Sequence, residues 1–286
     1  MRAASTSPAA LSTAFATPGA RFRTNLRATM ATARANLLRF ASNPIQLIRA
    51  PLAPILTVGG FILAYSISGQ TTIPESQVIG FLVIGSFMTG CWGATVWGAG
   101  FALQAERYFG TIGAVIAAPT STLAVVTGYT LGSLAVGIVD AIATILVGLA
   151  VGGRFVIHDP LAVVLAVLTV YVSTICIGLA FAGLFILSRN ANSLSNVLQI
   201  PIYILCGFYV PRSVLPEWAQ WIGAGIPLTH AADALRGATL TGDSLGEIAR
   251  PLVLALGSAL VFLVAGIWAL GKADRSARRA GTLDLL

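Results

Sequence analysis

The chain has 286 residues, of which 56% are hydrophobic and 9% are charged, and its mean hydropathy is +0.86. A soluble domain carries about 25% charged residues, so this composition excludes a water-soluble fold and indicates an integral membrane protein. Runs of about 20 apolar residues predict an all-α bundle, because the strands of a membrane barrel are short and alternating. The net charge of +7 does not indicate nucleic-acid binding, since the arginines lie at the ends of apolar runs.

The N-terminal region divides into two predicted segments. Residues 1–20 are rich in Ala, Ser, Thr and Pro and are expected to form a disordered cytoplasmic tail, with an organellar transit peptide as the alternative. Residues 21–45 are predicted to form an amphipathic helix in the membrane interface, with arginines toward anionic headgroups. An ordinary helix packed on a soluble partner is the other interpretation. The apolar residues fall on one arc: Phe22, Leu26, Met30, Ala33, Leu37 and Phe40.

Residues 46–272 are predicted to form a transmembrane domain with six spans, followed by a cytoplasmic tail at 273–286. The spans are expected at about 48–67, 78–103, 123–151, 161–187, 194–210 and 252–270. In the fifth span the run Ile202–Val210 before Pro211 is too short to cross a ~30 Å hydrocarbon core. Broken backbone at membrane depth needs protein or water as a hydrogen-bonding partner, so residues 211–236 are predicted to be re-entrant helices.

The distribution of lysine and arginine predicts the orientation. With the N-terminus inside, 13 of the 17 basic residues lie on the inner side, all but Arg154, Arg212, Arg236 and Arg250. Both termini are therefore expected in the cytoplasm, with the chain in the plasma membrane of the cell. The re-entrant region then lies on the outer side.

The longest inner loop, residues 104–119, is predicted to form a short amphipathic helix at the cytoplasmic surface. It opens with the charged pair Glu106–Arg107, contains Gly110 and closes at Pro119. A plain connector needs only a few residues, so the length favours a docking helix for a soluble partner.

Asp140 is the one acidic residue inside a predicted span. An ionisable group at this depth costs about 2.5–3.5 kcal/mol to insert, so it should face the bundle or water. It is predicted to contact a cationic or polar substrate or to act as a conformational latch, and a hydrogen-bonded core acid is the alternative. The aromatic residues Phe87, Trp92 and Trp97 are candidate wall residues of a substrate pathway, with simple packing as the alternative.

Two further motifs have structural interpretations. Small residues spaced four apart predict close packing of the third span against another helix, at Ala124, Gly128 and Gly132. The stretch Gly266–Lys272 matches part of a phosphate-binding loop, but Ala273 replaces the hydroxyl residue that would bind Mg²⁺. No metal site is predicted, because the two histidines lie in different segments.

Three stretches resemble the permease subunit of ABC-2 type transporters, close to the daunorubicin or drug-exporter branch. They are Glu106-Arg-Tyr-Phe-Gly110-Thr111 closing at Pro119, Gly207-Phe-Tyr-Val-Pro211 with Leu215-Pro216-Glu-Trp218, and Ile226-Pro227-Leu-Thr-His230 with Ala234-Leu235-Arg236. The likeness extends from about residue 24 over nearly the whole chain. Ile226 departs from the Asn that many members have, and Tyr108-Phe109 from their charged residues.

The resemblance implies a bacterial exporter permease that pairs with a second permease copy, identical or homologous, and with two cytoplasmic ATP-binding subunits. The chain itself would bind no cofactor and would not be an enzyme, because ATP and Mg²⁺ are used by the partner subunit. A helix at 104–119 would couple to that subunit through Glu106, Arg107, Tyr108, Phe109, Gly110 and Thr111. The expected cargo is hydrophobic or amphipathic: a drug, an antibiotic, a lipid or a glycolipid.

Two rival functions remain at this stage. An ion-coupled secondary transporter would show intramembrane ionisable pairs and related halves. A non-transporting scaffold would only recruit a partner through the 104–119 loop. Under the exporter hypothesis the broken outer region is the exit gate, formed by Phe208, Pro211, Pro216, Trp218, Trp221 and Pro227.

Overall fold

The structure is a computed structural model that describes residues 18–68, 75–101, 106, 110, 120–187 and 191–280. Within these residues the chain forms nine α-helices and no strand, in agreement with the predicted all-α class. A 3₁₀ turn lies at Arg212–Val214, and π-helical segments lie at Ala94–Gly100 and Gly237–Thr241. The helices are α1 (Pro18–Ala41), α2 (Pro44–Ser68), α3 (Glu75–Gly93), α4 (Thr122–Ala150), α5 (Pro160–Leu187), α6 (Ala191–Leu205), α7 (Glu217–Ala224), α8 (Pro227–Arg236) and α9 (Leu245–Ala280).

Four helical stretches in the described residues are long and apolar enough to cross a membrane. They correspond to the second, third, fourth and sixth predicted spans: Gln77–Gly98, Thr122–Ala150, Pro160–Phe185 and Leu245–Lys272. Among the described residues, α2 contains a shorter apolar stretch, Ile55–Tyr65. Helix α6 has 15 residues, about 22 Å at 1.5 Å per residue, which is less than a ~30 Å hydrocarbon core. The total of six spans therefore stays a prediction.

The core of the bundle lies where α3, α5 and α8 meet. Trp92, Phe185 and Phe208 are among its largest fully buried side chains. By contrast, long apolar faces of α4 and α9 are exposed, including Ile142 and Val261. A helix that is apolar on its exposed face as well as its packed face suits a lipid surrounding.

Helix α1 packs along the first turns of α4 through polar side chains. The sequence pattern, which is dominated by the apolar arc, did not predict this polar face. The Oγ1 of Thr29 donates to the carbonyl of Ala124 at 3.0 Å, and the Nδ2 of Asn36 donates to that of Tyr129 at 3.1 Å. The predicted small-residue ridge of α4 is what lets the two backbones approach. The apolar residues Phe22, Leu26, Met30 and Leu37 point outward and are exposed, as an interfacial helix requires.

Substitution of Gly128 by alanine is expected to weaken the contact between α1 and α4. A Cβ atom there would lie 1.8 Å from Oγ1 of Thr32 and 2.5 Å from the carbonyl oxygen of Thr29. Overpacking of this kind costs about 1–3 kcal/mol, so the midpoint of thermal unfolding should fall. Gly137 on the same helix is the matched control, because its Cβ would only come within 3.9 Å of Ala94. Equal midpoints for the two variants would contradict this contact.

Helix α6 ends earlier than predicted, at Leu205 and not at Pro211. Gly207 has φ +70°, and the N–H of Phe208 bonds the carbonyl of Tyr203 at 2.9 Å. This is the glycine-ended pattern that stops a helix by satisfying its last carbonyls, and it explains why the break precedes the proline. Residues 202–236 are thus a broken chain: the end of α6, a turn, the 3₁₀ segment, α7 and α8.

One acid joins two helices at the end of the bundle where α5 begins, here called the Asp159 end. Oδ1 of Asp159 accepts from the N–H of Leu161 at 3.0 Å and caps α5, while Oδ2 accepts from the N–H of Leu245 at 3.1 Å. The backbone N–H groups of Leu245 and Ala162 hold the pKa of Asp159 below its usual value. The opposite end, where α4 begins, is the Ser121 end.

Asp159→Asn is expected to lower the midpoint of thermal unfolding at neutral pH, and the difference from the wild type should shrink in acid. A carboxylate whose folded pKa is depressed stabilises the fold above its unfolded pKa of ~3.9. That contribution is lost as the pH falls through the lower folded pKa, so the two proteins should converge below about pH 4. Unfolding midpoints measured at pH 7 and pH 3 check this, and an unchanged difference would contradict it.

Candidate functional site

A cavity of about 450 Å³ lies between α1, α2, α3, α4 and α6. Its size falls in the range of small-molecule sites, about 300–1,000 Å³. The lining includes the exposed side chains Arg39, Asn43 and Trp97, so the cavity reaches the surface near them. It continues inward along α4 through Ser133 to Asp140.

The walls of the cavity are unusually polar for a bundle of apolar helices. Helices α2 and α3 contribute Thr57 and Ser86, whose hydroxyl oxygens are 3.1 Å apart and share a hydrogen bond. Helix α6 contributes Gln199, which donates to the hydroxyl of Tyr203 at 2.9 Å. Because polar groups inside a bundle mark pathways more often than packing, this lining is a candidate site for a polar part of a ligand.

Two glycines in the cavity wall let α3 and the π-helical segment approach α4 closely. A Cβ atom at Gly90 would lie 2.4 Å from Oδ2 of Asp140, so the carboxylate rests directly against the α3 backbone. Gly98, within the π-helical segment Ala94–Gly100, approaches Ser133 just as closely, at 1.9 Å from a built Cβ to Oγ. π-Helical turns are frequent at functional sites. This one continues α3 toward the Ser121 end.

Tyr209 packs behind the lining residue Thr89, on the Asp159 side of the cavity, and is here called the roof. Its hydroxyl lies 2.7 Å from Oγ1 of Thr89, a cavity-lining residue, and its ring stacks on Phe61 with centroids 4.1 Å apart. Its carbonyl accepts from the hydroxyl of Tyr65 at 2.8 Å. The roof therefore joins the turn after α6 to both α2 and α3.

Arg236 holds that turn in place from the end of α8. Its Nη2 donates to the carbonyls of Gly207 at 2.7 Å and Phe208 at 3.0 Å. Its guanidinium carbon also lies 3.9 Å from the ring centroid of Phe81, a cation–π contact with α3. Nearby, Arg212 pairs with Asp233 at 2.9 Å. The closing arginine of the resemblance motif is thus a structural anchor of the roof.

At the Ser121 end, Glu106 is buried among residues of two other helices. The hydroxyl of Tyr129 on α4 donates to its carboxylate, and that hydroxyl accepts from Nη1 of Arg39 on α1 at 2.7 Å. Nη2 of Arg39 lies 3.9 Å from the same carboxylate oxygen. Glu106 thus faces its own chain, and this cluster ties the segment after α3 to α1 and α4.

The residues predicted for partner contact are only partly described. Glu106 is placed as above, and Gly110 has φ +71°, with no atom of the described residues within 4 Å of a Cβ built there. Arg107, Tyr108, Phe109 and Thr111 lie outside the described residues. Their contact with an ATP-binding subunit stays a prediction.

The predicted pathway residues separate into two groups. Asp140 and Trp97 both line the cavity, and Trp97 stacks on Phe101 with centroids 5.2 Å apart. Trp92 is buried against Phe181 in an edge-on contact at 5.2 Å, and Phe87 meets Tyr171 on α5. Trp92 and Phe87 therefore pack in the core and do not line the cavity.

The predicted gate residues also separate. Phe208 and Pro227 are buried, Pro211 is partly buried, and Pro216 is exposed. Trp218 and Trp221 on α7 are exposed, which suits the aromatic belt of a membrane interface. Sequence reasoning missed Tyr209, although its position within Gly207-Phe-Tyr-Val-Pro211 is the signal that pointed to the right turn.

The motif Pro227-Leu-Thr229 has a local physical basis. Pro227 is the first residue of α8, where a missing N–H costs nothing and the fixed φ suits the helix. The hydroxyl of Thr229 donates to the carbonyl of Gly223 at 2.7 Å, and a ring nitrogen of His230 lies 2.8 Å from that of Ala224. These contacts satisfy carbonyls at the end of α7 and fix the angle between the two short helices.

Comparison with protein families adds the deciding observation. A family model described as ABC-2 type transporter matches residues 27–240. The chain belongs to this family. The match begins within α1 and ends within the second π-helical segment, so it includes the cavity, the roof and the Arg39–Glu106–Tyr129 cluster. A comparison with curated proteins finds no match.

The chain is therefore the non-catalytic, multi-pass membrane subunit of an ABC-2 transporter, a permease. Membership of the family implies association with an ATP-binding subunit and with membrane lipids. The finer resemblance to the drug-exporter branch stays a prediction.

Proposed function

We propose that this permease exports a hydrophobic or amphipathic substrate from the cytoplasm or the inner leaflet, and that the 450 Å³ cavity is where the substrate loads. The observation that carries this proposal is the position of the cavity: it reaches the surface near Arg39 and extends along the bundle to Thr89, to which Tyr209 is hydrogen bonded. Its polar walls lie within a bundle whose exposed faces are apolar. A molecule with a polar head and an apolar body suits both surfaces.

With both termini in the cytoplasm, as the charge distribution predicts, the open end of the cavity would face the cytoplasm. The first part of α1 lies at the Ser121 end, where Oδ1 of Asn25 accepts from the N–H of Ser121 at 3.0 Å. Helix α1 carries Arg23, Arg27, Arg34 and Arg39, and under the positive-inside rule such a basic helix favours a cytoplasmic location. Export then requires the roof to open toward the outside while the Ser121 end closes. ATP hydrolysis in two partner subunits, acting on a dimer of permeases, would drive this exchange.

The Arg39–Glu106–Tyr129 cluster offers a route for that drive. Glu106 lies in the segment that resembles the coupling helix, and its carboxylate binds residues of α1 and α4. Both helices line the cavity, through Asn36 of α1 and Ser133 of α4, which are hydrogen bonded at 3.0 Å. A displacement of the segment by the ATP-binding subunit would therefore move two walls of the cavity together.

Glu106→Gln is expected to uncouple ATP hydrolysis from transport. The amide keeps the size of the side chain but loses the charge that Arg39 balances. Couplings between sites are typically 5–150-fold, so ATP-driven transport in proteoliposomes should fall about tenfold while ATP hydrolysis by the complex persists. The cargo assay uses a set of fluorescent amphiphiles, with vanadate as the inhibitor of hydrolysis.

The matched control is Glu217→Gln, which removes an exposed acid of α7 at the far end of the bundle. It should leave both hydrolysis and transport unchanged. Failure of the chain to co-purify with an ATP-binding subunit, or transport that vanadate does not inhibit, would overturn the proposed function itself. Full coupling in Glu106→Gln would overturn only the assigned route.

A further inference from the structure

Helix α1 runs beside the first turns of α4 and in the same direction. Near the start of α4, Oδ1 of Asn25 accepts from the N–H of Ser121 at 3.0 Å. About three turns further along, Nδ2 of Asn36 donates to Oγ of Ser133 at 3.0 Å. The two helices therefore stay in contact from residue 25 to 36 on α1 and from 121 to 133 on α4, about 17 Å at 1.5 Å per residue. One face of α1 is occupied by this contact.

The face of α1 opposite α4 carries three exposed arginines, Arg23, Arg27 and Arg34, here called the arginine stripe. A helix turns about 100° per residue, so these side chains project within an arc of about 40°. Helix α1 contains no acidic residue, and the stripe makes no hydrogen bond or ion pair with any residue that the structure describes. Three positive charges therefore face outward along about 17 Å of the helix.

An exposed apolar arc borders the stripe along one side. It consists of Phe22, Leu26, Met30 and Leu37. A partner of the stripe therefore meets positive charges and apolar side chains next to each other. A phospholipid offers the matching pair of groups, a phosphate and acyl chains, and basic amphipathic helices bind anionic membranes in this way. An acidic protein surface would match the arginines but would leave the apolar arc without a partner.

The length of α4 leaves room for the stripe at the level of the lipid headgroups. Helix α4 has 29 residues, about 44 Å, which exceeds a ~30 Å hydrocarbon core by about 14 Å. By the register of the two helices, Arg34 is level with about residue 130 of α4, some 13 Å from the start of that helix. Arginine side chains extend their charged ends toward the membrane surface, so this residue also reaches the phosphates.

We propose that the arginine stripe is a docking surface for the headgroups of anionic phospholipids, in the leaflet at the Ser121 end. Each guanidinium would donate hydrogen bonds to phosphate oxygens, with the apolar arc among the acyl chains. Attraction to an anionic leaflet is worth about fivefold in the binding constant for each basic residue, so the three arginines together distinguish anionic from neutral lipid. The inference goes beyond the proposed function, because it depends neither on the cargo nor on the direction of transport.

The experiment measures the lipid preference of the full chain in neutral detergent micelles. Phosphatidylglycerol or phosphatidylcholine with the same acyl chains is added, and native mass spectrometry gives the dissociation constant of each lipid. The test variant is Arg27→Gln/Arg34→Gln, and Arg27→Lys/Arg34→Lys keeps the charge. The matched control is Arg154→Gln/Arg250→Gln, which also removes two exposed arginines, here from the Asp159 end.

The wild type should bind phosphatidylglycerol at least about tenfold more tightly than phosphatidylcholine, and the glutamine variant of the stripe should reduce that preference at least about fivefold. The lysine variant and the control should keep it within about twofold of the wild type, because the stripe keeps its charge in both. Added salt should weaken the preference of the wild type, since exposed charges are screened. Elution of each variant as a single species shows that it is folded.

Thermal unfolding gives a second measurement of the same binding. A ligand that binds only the folded state stabilises it, so phosphatidylglycerol should raise the unfolding midpoint of the wild type more than that of Arg27→Gln/Arg34→Gln. An unchanged lipid preference in this variant, or an equal loss in the Arg154→Gln/Arg250→Gln control, would overturn the docking surface. An unchanged preference with loss of the ATP-binding subunit from the purified complex would assign the stripe to that subunit instead. None of these outcomes affects the proposed function, which is tested by vanadate-sensitive transport.

Discussion

Gly85→Ala is expected to be among the most damaging single-methyl changes in this permease. A Cβ atom at this position would lie 1.9 Å from the carbonyl oxygen of Phe208, and that oxygen belongs to backbone held by Arg236. A flexible side chain could move aside, but this turn cannot move without losing the hydrogen bonds of the roof. Overpacking usually costs about 1–3 kcal/mol, and this site should reach the upper end or exceed it.

Thermal unfolding followed by tryptophan fluorescence measures the effect. The matched control is Gly93→Ala, eight residues later on the same helix, where a Cβ atom would meet nothing within 4 Å. The control should unfold with the wild type or slightly above it, since alanine favours a helix over glycine by up to ~1 kcal/mol. A Gly85 variant as stable as the Gly93 variant would show that the turn after α6 is not where the structure places it.

Arg236→Met is expected to release the roof. Methionine keeps much of the apolar stem but leaves the carbonyls of Gly207 and Phe208 without their donor. Hydrogen bonds from a charged group are each worth about 1.5–3 kcal/mol, and a desolvated cation–π contact such as that with Phe81 about 2 kcal/mol. The free energy of unfolding should fall by about 3–5 kcal/mol, because these contributions are not additive.

Arg236→Lys is the informative comparison. Lysine keeps the positive charge but cannot offer the planar fork of donors, so its stability should fall between the wild type and the methionine variant. The double variant Gly85→Ala/Arg236→Met should be clearly less destabilised than the sum of the two single changes, since both act on the carbonyl of Phe208. Strict additivity would mean that the two residues hold separate parts of the molecule.

The sequence was sufficient for the long apolar helices, because about 20 apolar residues have few alternatives to crossing a membrane. The chain break between 202 and 236 also follows from its prolines, although Gly207 ends α6 first. What hydropathy could not supply is the partner of a polar face. On α1 the apolar arc dominates the pattern, yet Thr29 and Asn36 make the contacts with α4, a helix nearly a hundred residues away.

The candidate site was predictable only in part, because the sequence does not show which side chains face the cavity. Asp140 stands out in sequence because an acid is costly in a span, and it does line the cavity. Trp92 and Trp97 are only five residues apart and look alike in sequence, but only Trp97 lines the cavity. The change from α to π hydrogen bonding at Ala94 rotates the side chains after it, and the spacing of apolar residues in the sequence does not predict that change. Glu106 was predicted to lie at the cytoplasmic surface, but in the structure it is buried against Arg39 and Tyr129.

The glycines of the cavity divide into two kinds, with a consequence for how this transporter can change over generations. Gly98 is constrained, since a Cβ atom there would lie 2.5 Å from Cβ of Ser133, whereas at Gly90 the nearest atoms belong to the end of the Asp140 side chain, which can turn aside. Gly93 and Gly137 have room for a methyl group and also line the cavity. Mutations at the second pair can therefore reshape the cavity without a loss of stability. If the substrate loads there, as proposed, the substrate range can change through these two positions while Gly98 keeps its close contact with Ser133.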